Sequence, residues 1–196
     1  MASVYLYPDS TVSNTNWTVT ADTVHERLAS ISATGSPWHD GIATDDDGAV
    51  CVVTLEDFDY DGLNATSITS VQVQSQFYME TKSVTNSFTV KIQDSSGTDL
   101  YSESTGTITA IDSYQNHNFT RRTTSDGSSH AWTDLDLDGM RLQITAGMTG
   151  GDLYINYMRV EVNYEVPTPN TIYPSDDNVI IKNGLITFKN GIVEIK

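Results

Sequence analysis

Apolar and polar residues alternate with a period of two along most of this 196-residue chain, which is the spacing of strands that bury one face. From this alternation we predict eight strands, at residues 2–8, 16–21, 48–56, 67–80, 86–94, 113–123, 139–147 and 151–166. Turn sequences such as DSSGTD and TGGD separate them, since Gly, Asn and Asp supply the backbone conformations that turns need. The pattern predicts an all-β fold, an antiparallel two-sheet sandwich of the jelly-roll-like kind.

Helical periodicity is confined to one short segment. In DTVHERLASI, Val24, Leu28 and Ile31 fall on one helical face and Asp22 is placed to cap the N-terminus. We therefore expect at most one short helix in the sandwich.

The chain divides near residue 165. Prolines at positions 167, 169 and 174 remove backbone donors and disfavour helix, which predicts a stiff, extended linker. We predict a sandwich domain over residues 1–165, a linker over 166–177 and a C-terminal β-arm over 178–196.

Composition excludes several classes of function. The chain has 10 Lys and Arg against 26 Asp and Glu, a formal charge of -16 that would repel a phosphate backbone, so no nucleic-acid binding is expected. Its single cysteine, Cys51, lies in the apolar run AVCVVTL and is expected in the core, which excludes a disulfide framework. No run approaches the ~20 apolar residues of a membrane span. The start, MASVYLYPDS, lacks the features of a signal peptide, so we expect synthesis in the cytoplasm and no membrane partner.

Two acidic motifs have the spacing that begins a calcium-binding loop. The carboxylates of DFDYDG and DLDLDG are those of Asp57, Asp59, Asp61, Asp134, Asp136 and Asp138. Alternate carboxylates before a glycine turn can surround a hard cation with oxygens, so we predict Ca²⁺ binding at one of the motifs. The glutamate that completes an EF-hand loop at its twelfth position is missing from both. The alternative is a pair of solvent-facing turns, in which the intervening Phe58, Tyr60, Leu135 and Leu137 point into the core.

No spacing in the sequence indicates catalysis. The four histidines are scattered, and neither HExxH nor GxSxG is present, so we expect a protein that is not an enzyme and requires no cofactor. Trp38, in the turn-like SPWHDG, is a candidate for stacking against a sugar ring. Trp17 and Trp132 lie in alternating segments and are expected in the core.

Several segments together resemble the jelly-roll-like structural domains of tailed-bacteriophage virion proteins, of the marine-phage type. These segments are NWT near the start, the LASI helix, the ITSVQV strand, SHAWTDLDLDGMRLQIT and the closing GDLYINYMRVEVNY, and they cover residues 5–164. The resemblance implies a non-enzymatic structural protein of the virion, foremost a capsid decoration or cement protein. A fibre or tail component and a carbohydrate-binding, receptor-binding module are the alternatives, the latter with a glycan as partner.

The C-terminal arm repeats VIIKNG, LITFKNG and IVEIK with a period of seven, and its two Asn-Gly pairs are strong hairpin signals. Its large apolar residues are Val179, Ile180, Ile181, Leu185, Ile186, Phe188, Ile192, Val193 and Ile195. Residues 178–196 carry three Lys and one Glu, or +2, whereas residues 1–164 carry seven basic and 22 acidic residues, or -15. We predict that the arm assembles a symmetric homo-oligomer, a trimer by analogy with phage decoration and fibre proteins, or docks onto the major capsid protein or another virion protein. The alternative is an arm that folds back onto its own sandwich.

Overall fold

A computed structural model of the protein describes residues 1–19, 22–29, 41–80, 86–109 and 113–167, together with the backbone of 179–182 and 185–188. These residues form mainly antiparallel strands in two large sheets, with two short helices. None of the described helices is long and apolar enough to cross a membrane. The predicted all-β, antiparallel two-sheet sandwich is confirmed.

The first sheet has six strands, numbered here in chain order through the whole molecule. They are β1 (Ala2–Leu6), β3 (Thr18–Val19), β4 (Ile42–Thr44), β6 (Ser67–Met79), β9 (Gln115–Asn118) and β11 (Leu153–Glu165). The order is β3-β4-β11-β6-β9, and β1 pairs with the second half of β11. The long pair β6 and β11 forms the centre of this sheet.

The second sheet has five strands: β2 (Pro8–Thr15), β5 (Val50–Leu55), β7 (Ser87–Gln93), β8 (Asp99–Ser104) and β10 (Arg141–Gly147). Their order is β2-β5-β10-β7-β8. Strands β12 (Val179–Lys182) and β13 (Leu185–Phe188) form a separate two-stranded sheet. Strands β2, β4 and β8 were not predicted, because their sequences are largely polar or very short.

The two helices are α1 (Val24–Ala29), which was predicted, and α2 (Asp134–Leu137), which was not. Asp22 was expected to cap α1, but its carboxylate pairs with Arg27 instead. Helix α2 begins at a capping box, in which the Thr133 hydroxyl accepts from the Asp136 N–H and the Asp136 carboxylate accepts from the Thr133 N–H. This box turns a segment with strand-like alternation into a helical turn.

The helical turn also corrects the expected burial of the two leucines of DLDL. Leu137 is fully buried, as predicted, but Leu135 is 80% exposed. Residues two apart share a face in a strand but lie about 200° apart around a helix, so only one of the two leucines can enter the core.

The core lies between the two sheets. Phe88 of β7 contacts Phe77 of β6 and Phe119, with ring centroids 5.3 and 5.9 Å apart and the rings close to perpendicular. Such edge-to-face contacts add to the burial of large aromatic side chains. Trp17 and Trp132 are each 3% exposed and belong to this core, as expected.

Strand β11 does not alternate simply along its whole length. Simple alternation places Leu153 and Ile155 on the same face as Tyr157 and Arg159, whereas the structure buries the first two and leaves the others on the outer face. The pairing with β6 shifts between Ile155 and Tyr157, where Asn156 is an extra residue. This β-bulge reverses the side-chain phase of the strand.

Gly41 lies beside the bulge, just before β4. A Cβ atom at this position would collide with the carbonyl oxygen of Ile155. The close approach of the two backbones therefore requires glycine at this point.

Candidate functional site

The outer face of the six-stranded sheet presents a surface rich in amide and tyrosine side chains, called here the amide face. In β6, Gln72, Gln74 and Gln76 alternate with residues that are buried, among them Val71 and Val73. Because successive side chains of a strand point to opposite sides, the three glutamines lie on the outer face, where each is partly exposed.

The register of β11 against β6 extends these rows across the sheet. Three residues lie opposite the glutamines: Tyr157 opposite Gln76, Arg159 opposite Gln74, and Glu161 opposite Gln72. Directly opposed residues share a face of the sheet. The bulge at Asn156 is what brings these three side chains to the outer face rather than into the core.

The neighbouring strands widen the face on both sides. Asn116 and Asn118 of β9 lie opposite two of the glutamines, and Tyr5 of β1 lies opposite Glu161. The amide face therefore runs across β1, β11, β6 and β9.

Hydrogen bonds between strands orient the amides. Asn156 Nδ2 donates to Gln76 Oε1 over 3.2 Å, and Gln76 Nε2 donates to Asn116 Oδ1 over 3.1 Å. Gln74 Nε2 donates to Glu161 Oε2 over 3.2 Å. A side chain that is already held in place loses less conformational entropy when a ligand binds.

Arg159 is the central cation of the face. Its Nε donates to Gln74 Oε1 over 2.9 Å, and its guanidinium carbon lies 3.9 Å from the ring centroid of Tyr5 and 5.6 Å from that of Tyr157. Contacts of a cation with aromatic faces at these distances are attractive. The guanidinium is thus fixed in position by one hydrogen bond and two rings.

Arg121 differs from Arg159 because a carboxylate neutralises it. Its Nη2 donates to Glu161 Oε2 over 2.7 Å and to Gln72 Oε1 over 2.8 Å. Its Nη1 donates to Ser70 Oγ over 3.3 Å. Glu161 is therefore an ion-paired carboxylate whose Oε2 already accepts hydrogen bonds from Arg121 and Gln74.

Three tyrosines cluster at the end of the face nearest the bulge. The ring of Tyr78 lies 5.6 Å from that of Tyr114 and 6.0 Å from that of Tyr154. Burial, followed by the negative charges of Asp152 and Glu80, raises the pKa of Tyr154 to about 12. Its hydroxyl is thus neutral at pH 7, and it donates to Glu80 Oε2 over 3.3 Å.

A serine, an aspartate and a histidine meet in the exposed residues 126–130, but not in the order of a catalytic triad. Both Ser128 Oγ, at 2.9 Å, and His130 Nδ1, at 2.5 Å, bond to the carboxylate of Asp126. The serine hydroxyl bonds to the carboxylate rather than to the imidazole, so the histidine is not placed to take its proton as it does in a catalytic triad.

The Asp126 carboxylate organises this loop. It accepts the backbone N–H groups of Ser128, Ser129 and His130 as well as the imidazole. The imidazole hydrogen bond, followed by these N–H groups, holds the pKa of Asp126 far below its usual range. The same pair raises the pKa of His130.

The two acidic motifs come together in space, although more than 70 residues separate them along the chain. Desolvation, followed by the charges of Asp138, Asp61 and Asp59, raises the pKa of Asp134. Two carboxylates already serve the turns, since Asp57 Oδ1 accepts from Gly139 N over 3.1 Å and Asp59 Oδ1 from Gly62 N over 2.9 Å.

Within the part of the chain that the structure describes, no three His, Cys, Asp or Glu side chains are grouped so that they could hold a metal ion. Calcium binding at these motifs therefore remains a prediction, which a melting experiment can test.

The other predicted site residues lie largely outside the described residues. Trp38, the sugar-stacking candidate, is one of them, as are Ile192, Val193 and Ile195 of the arm. The backbone of the arm pairs Val179–Lys182 antiparallel with Leu185–Phe188, but the apolar side chains from Ile180 to Phe188 are not described.

The amide face was not predicted as a site. Its signal is present in VQVQSQ, where glutamine occupies the outward position three times in succession. Exposed strand positions often hold polar residues, so this signal becomes specific only once the register places Tyr157 and Arg159 beside it.

No protein-family model and no curated protein matches the chain. Among solved structures, the chain is similar to the xylan-binding module CBM15 at 12% identity and a TM-score of 0.47, covering 85% of this chain and 100% of that one. It is similar to CBM35 from Paenibacillus barcinonensis at 10% identity and a TM-score of 0.43, covering 84% and 100%.

The chain also matches the enzymatically active domain of bacteriophage CBA120 tailspike protein 4, at 11% identity and a TM-score of 0.42. That match covers 81% of this chain but only 19% of the tailspike chain. The chain likewise spans 27% of the MgGH51 α-L-arabinofuranosidase chain that it matches. At these identities and TM-scores, the likenesses concern the broad course of the strands and carry no argument about function.

Proposed function

We propose that the sandwich is a non-catalytic glycan-binding module, and the observation that supports this most is the amide face. Sugar hydroxyls both donate and accept hydrogen bonds, as amide side chains do. Sugar rings also present C–H faces that pack against aromatic rings. The face offers both kinds of partner side by side, with Gln74, Gln76 and Asn116 next to Tyr5 and Tyr157.

The same face argues against glycoside hydrolysis. That chemistry generally uses two carboxyl groups flanking the bond that is cleaved, about 5 to 10 Å apart. Among the described residues that lie directly opposite Gln72, Gln74 and Gln76 on the neighbouring strands, Glu161 is the carboxylate, and it is paired with Arg121. A module that holds a sugar without cleaving it fits this arrangement better.

A glycan array followed by calorimetry tests the proposal. We expect saturable binding to at least one glycan, weakened about tenfold by Gln74→Ala, because the sugar loses a hydrogen-bonding partner. The matched control is Gln143→Ala, which removes a partly exposed glutamine from β10 of the other sheet.

Two results would contradict the assignment. One is the absence of saturable binding to any glycan on the array. The other is binding that Trp38→Ala abolishes and Gln74→Ala leaves unchanged, which would move the site from the amide face to the region of Trp38.

We further propose that the protein is a structural component of a tailed-phage virion. A capsid decoration or cement protein is the first candidate role, and a receptor-binding fibre or tail component is the second. The supporting observation is that β12 and β13 pair with each other and, among the described strands, with no other. A two-stranded hairpin is at best marginally stable alone. The arm thus suits docking onto a second copy or onto another virion protein of opposite charge.

Truncation tests this assembly role. The cut belongs after Val166, because the Glu165 carbonyl accepts the Thr66 N–H over 2.8 Å and Glu165 pairs with Ser67 at the end of β11. We expect the truncated chain to melt like the full chain but to have a lower oligomeric mass by light scattering and no affinity for particles. An unchanged mass together with unchanged particle binding would show that the arm serves its own subunit only.

A further inference from the structure

Among the described Lys and Arg side chains, Arg141 and Arg159 are the two without a carboxylate oxygen within 4 Å, and Arg159 is the one that lies on the amide face. Arg27, Lys91, Arg121 and Arg122 each have a carboxylate oxygen within 4 Å. Arg159 has no ion-pair partner among the described residues, although residues 1–164 carry 22 acidic side chains. Glu161, two positions along the same strand, is engaged by Arg121 and by Gln74.

The hydrogen-bonding capacity of Arg159 is mostly unused. A guanidinium has five N–H donors, of which the Nε–H is given to Gln74 Oε1. The described residues supply no hydrogen-bond acceptor for the remaining donors on Nη1 and Nη2. The side chain is only partly exposed, and the rings of Tyr5 and Tyr157 flank it. Water can therefore solvate only part of this cation.

The geometry points to a carboxylate as its partner. A planar guanidinium binds a carboxylate through two parallel hydrogen bonds, and such charge-assisted pairs are stronger than neutral ones. The two tyrosine rings and the Gln74 contact hold the guanidinium in one orientation before any ligand arrives. We propose that the glycan bound by the amide face is acidic, and that Arg159 binds the carboxylate of a uronic acid residue.

Neighbouring side chains suit the rest of such a sugar. Gln74 lies directly opposite Arg159 and Gln76 lies two residues further along β6. Both amides can donate to and accept from the hydroxyl groups of a sugar ring. Tyr157 and Tyr5 offer ring surface on either side. The local charge of Arg121, Arg159 and Glu161 is +1, whereas residues 1–164 as a whole sum to -15. An anionic sugar is thus attracted to this part of the surface in preference to the rest.

This inference rests on the proposed glycan-binding function, and calorimetry with paired probes separates the two. The probes are oligomers of galacturonic, glucuronic, mannuronic and guluronic acid, each with its carboxyl-reduced neutral counterpart. We expect at least one acidic oligomer to bind about tenfold or more tightly than its neutral counterpart, as expected for a hydrogen-bonded charge pair. Added salt should weaken only the acidic form.

Variants then assign the preference to Arg159. Arg159→Gln should abolish the preference for the acidic form, while Arg159→Lys, which keeps the charge but not the planar fork, should retain part of it. Gln76→Ala, which removes a glutamine bonded to Asn116 and Asn156 rather than to Arg159, should weaken the acidic and neutral forms together. The melting temperature of each variant checks that β1 remains packed on β11 without the Arg159–Tyr5 contact.

The possible failures are distinct. If acidic and neutral oligomers bind equally and Gln76→Ala weakens both, the glycan-binding function stands and the acidic specificity is wrong. If Arg159→Gln keeps the full preference for the acidic oligomer, a different cation binds the carboxylate and the assignment to Arg159 is wrong. If neither these oligomers nor any glycan on the array binds, the proposed function fails and the specificity fails with it.

Discussion

Asn86 is a buried polar residue whose removal has a predictable cost. Its side chain is 0% exposed and lies just before β7. Oδ1 accepts the Thr149 N–H over 2.7 Å and the Thr149 hydroxyl over 3.2 Å, and Nδ2 donates to the Gly150 carbonyl over 2.6 Å. One amide thereby ties the entry to β7 to the turn that joins β10 to β11.

Asn86→Ala removes these three hydrogen bonds, together with a weak contact from Nδ2 to Met79 Sδ, from a side chain that is itself closed to water. Each bond contributes about 1 kcal/mol net, and a buried group deprived of its partner adds a desolvation penalty of about 1 to 3 kcal/mol. Local relaxation that admits water to the turn recovers part of this. We expect a loss of about 2 to 4 kcal/mol in the free energy of unfolding, or roughly 5 to 15 °C in melting temperature for a domain of this size.

Urea unfolding followed by tryptophan fluorescence measures this loss, since Trp17 and Trp132 are both buried. The matched control is Asn118→Ala, an exposed asparagine on β9, which should change stability by no more than about 0.5 kcal/mol. A loss below about 1 kcal/mol for Asn86→Ala would refute the reasoning, because it would mean that water or a rearranged turn satisfies these groups at little cost.

Three further predictions concern single groups. Burial raises the pKa of the Cys51 thiol, so thiol reagents should modify it only at the rate of unfolding, and rapid labelling of the native protein would contradict this. The pKa of His130 should lie above that of a free histidine in an NMR titration and fall in Asp126→Asn. The stability that the Asp126–His130 pair contributes is complete below the ordinary histidine pKa and is lost as the pH rises through the raised pKa of His130. If His130 titrates equally in the unaltered protein and in Asp126→Asn, the pair does not form. Millimolar Ca²⁺ bound with a submillimolar Kd at the acidic motifs should add about 1 to 2 kcal/mol to the free energy of unfolding and raise the melting temperature. A melting temperature that neither EGTA nor added calcium changes would contradict this prediction.

The sequence contains enough information for the sandwich but less for its edges. Alternation of apolar with polar residues marks β6, β7 and β10, and the apolar run VCVVTL marks β5, because each of these strands buries one face. Strand β8 reads DLYSES and buries only Tyr101, so its alternation is weak. Helix α2 was not predicted, because it is only four residues long and depends on a capping box at Thr133 rather than on a helical pattern of apolar residues.

The candidate site was harder to predict than the fold. Gln74 and Arg159 are 85 residues apart in the chain, and nothing in the sequence fixes which residue of β11 lies opposite which residue of β6. One feature of β11 can nevertheless be predicted from the sequence. Its apolar positions change from odd numbers, 153 and 155, to even numbers, 158, 160 and 162. That change of parity marks an extra residue in the strand and indicates which tyrosines face outward.

The bulge at Asn156 makes β11 unequally tolerant of single-residue deletions. Deleting Asn156 removes the extra residue, so Leu153 and Ile155 stay on the same buried face as Met158 and Val160, and the strand becomes regular. A deletion elsewhere in the strand, away from the bulge, has no such compensation. It puts the two halves out of phase, so that buried side chains on one side of the deletion turn toward solvent and outward ones such as Arg159 turn toward the core. In a library of single deletions we therefore expect depletion along β11 except at the bulge, whereas the exposed residues 126–130 tolerate deletion better.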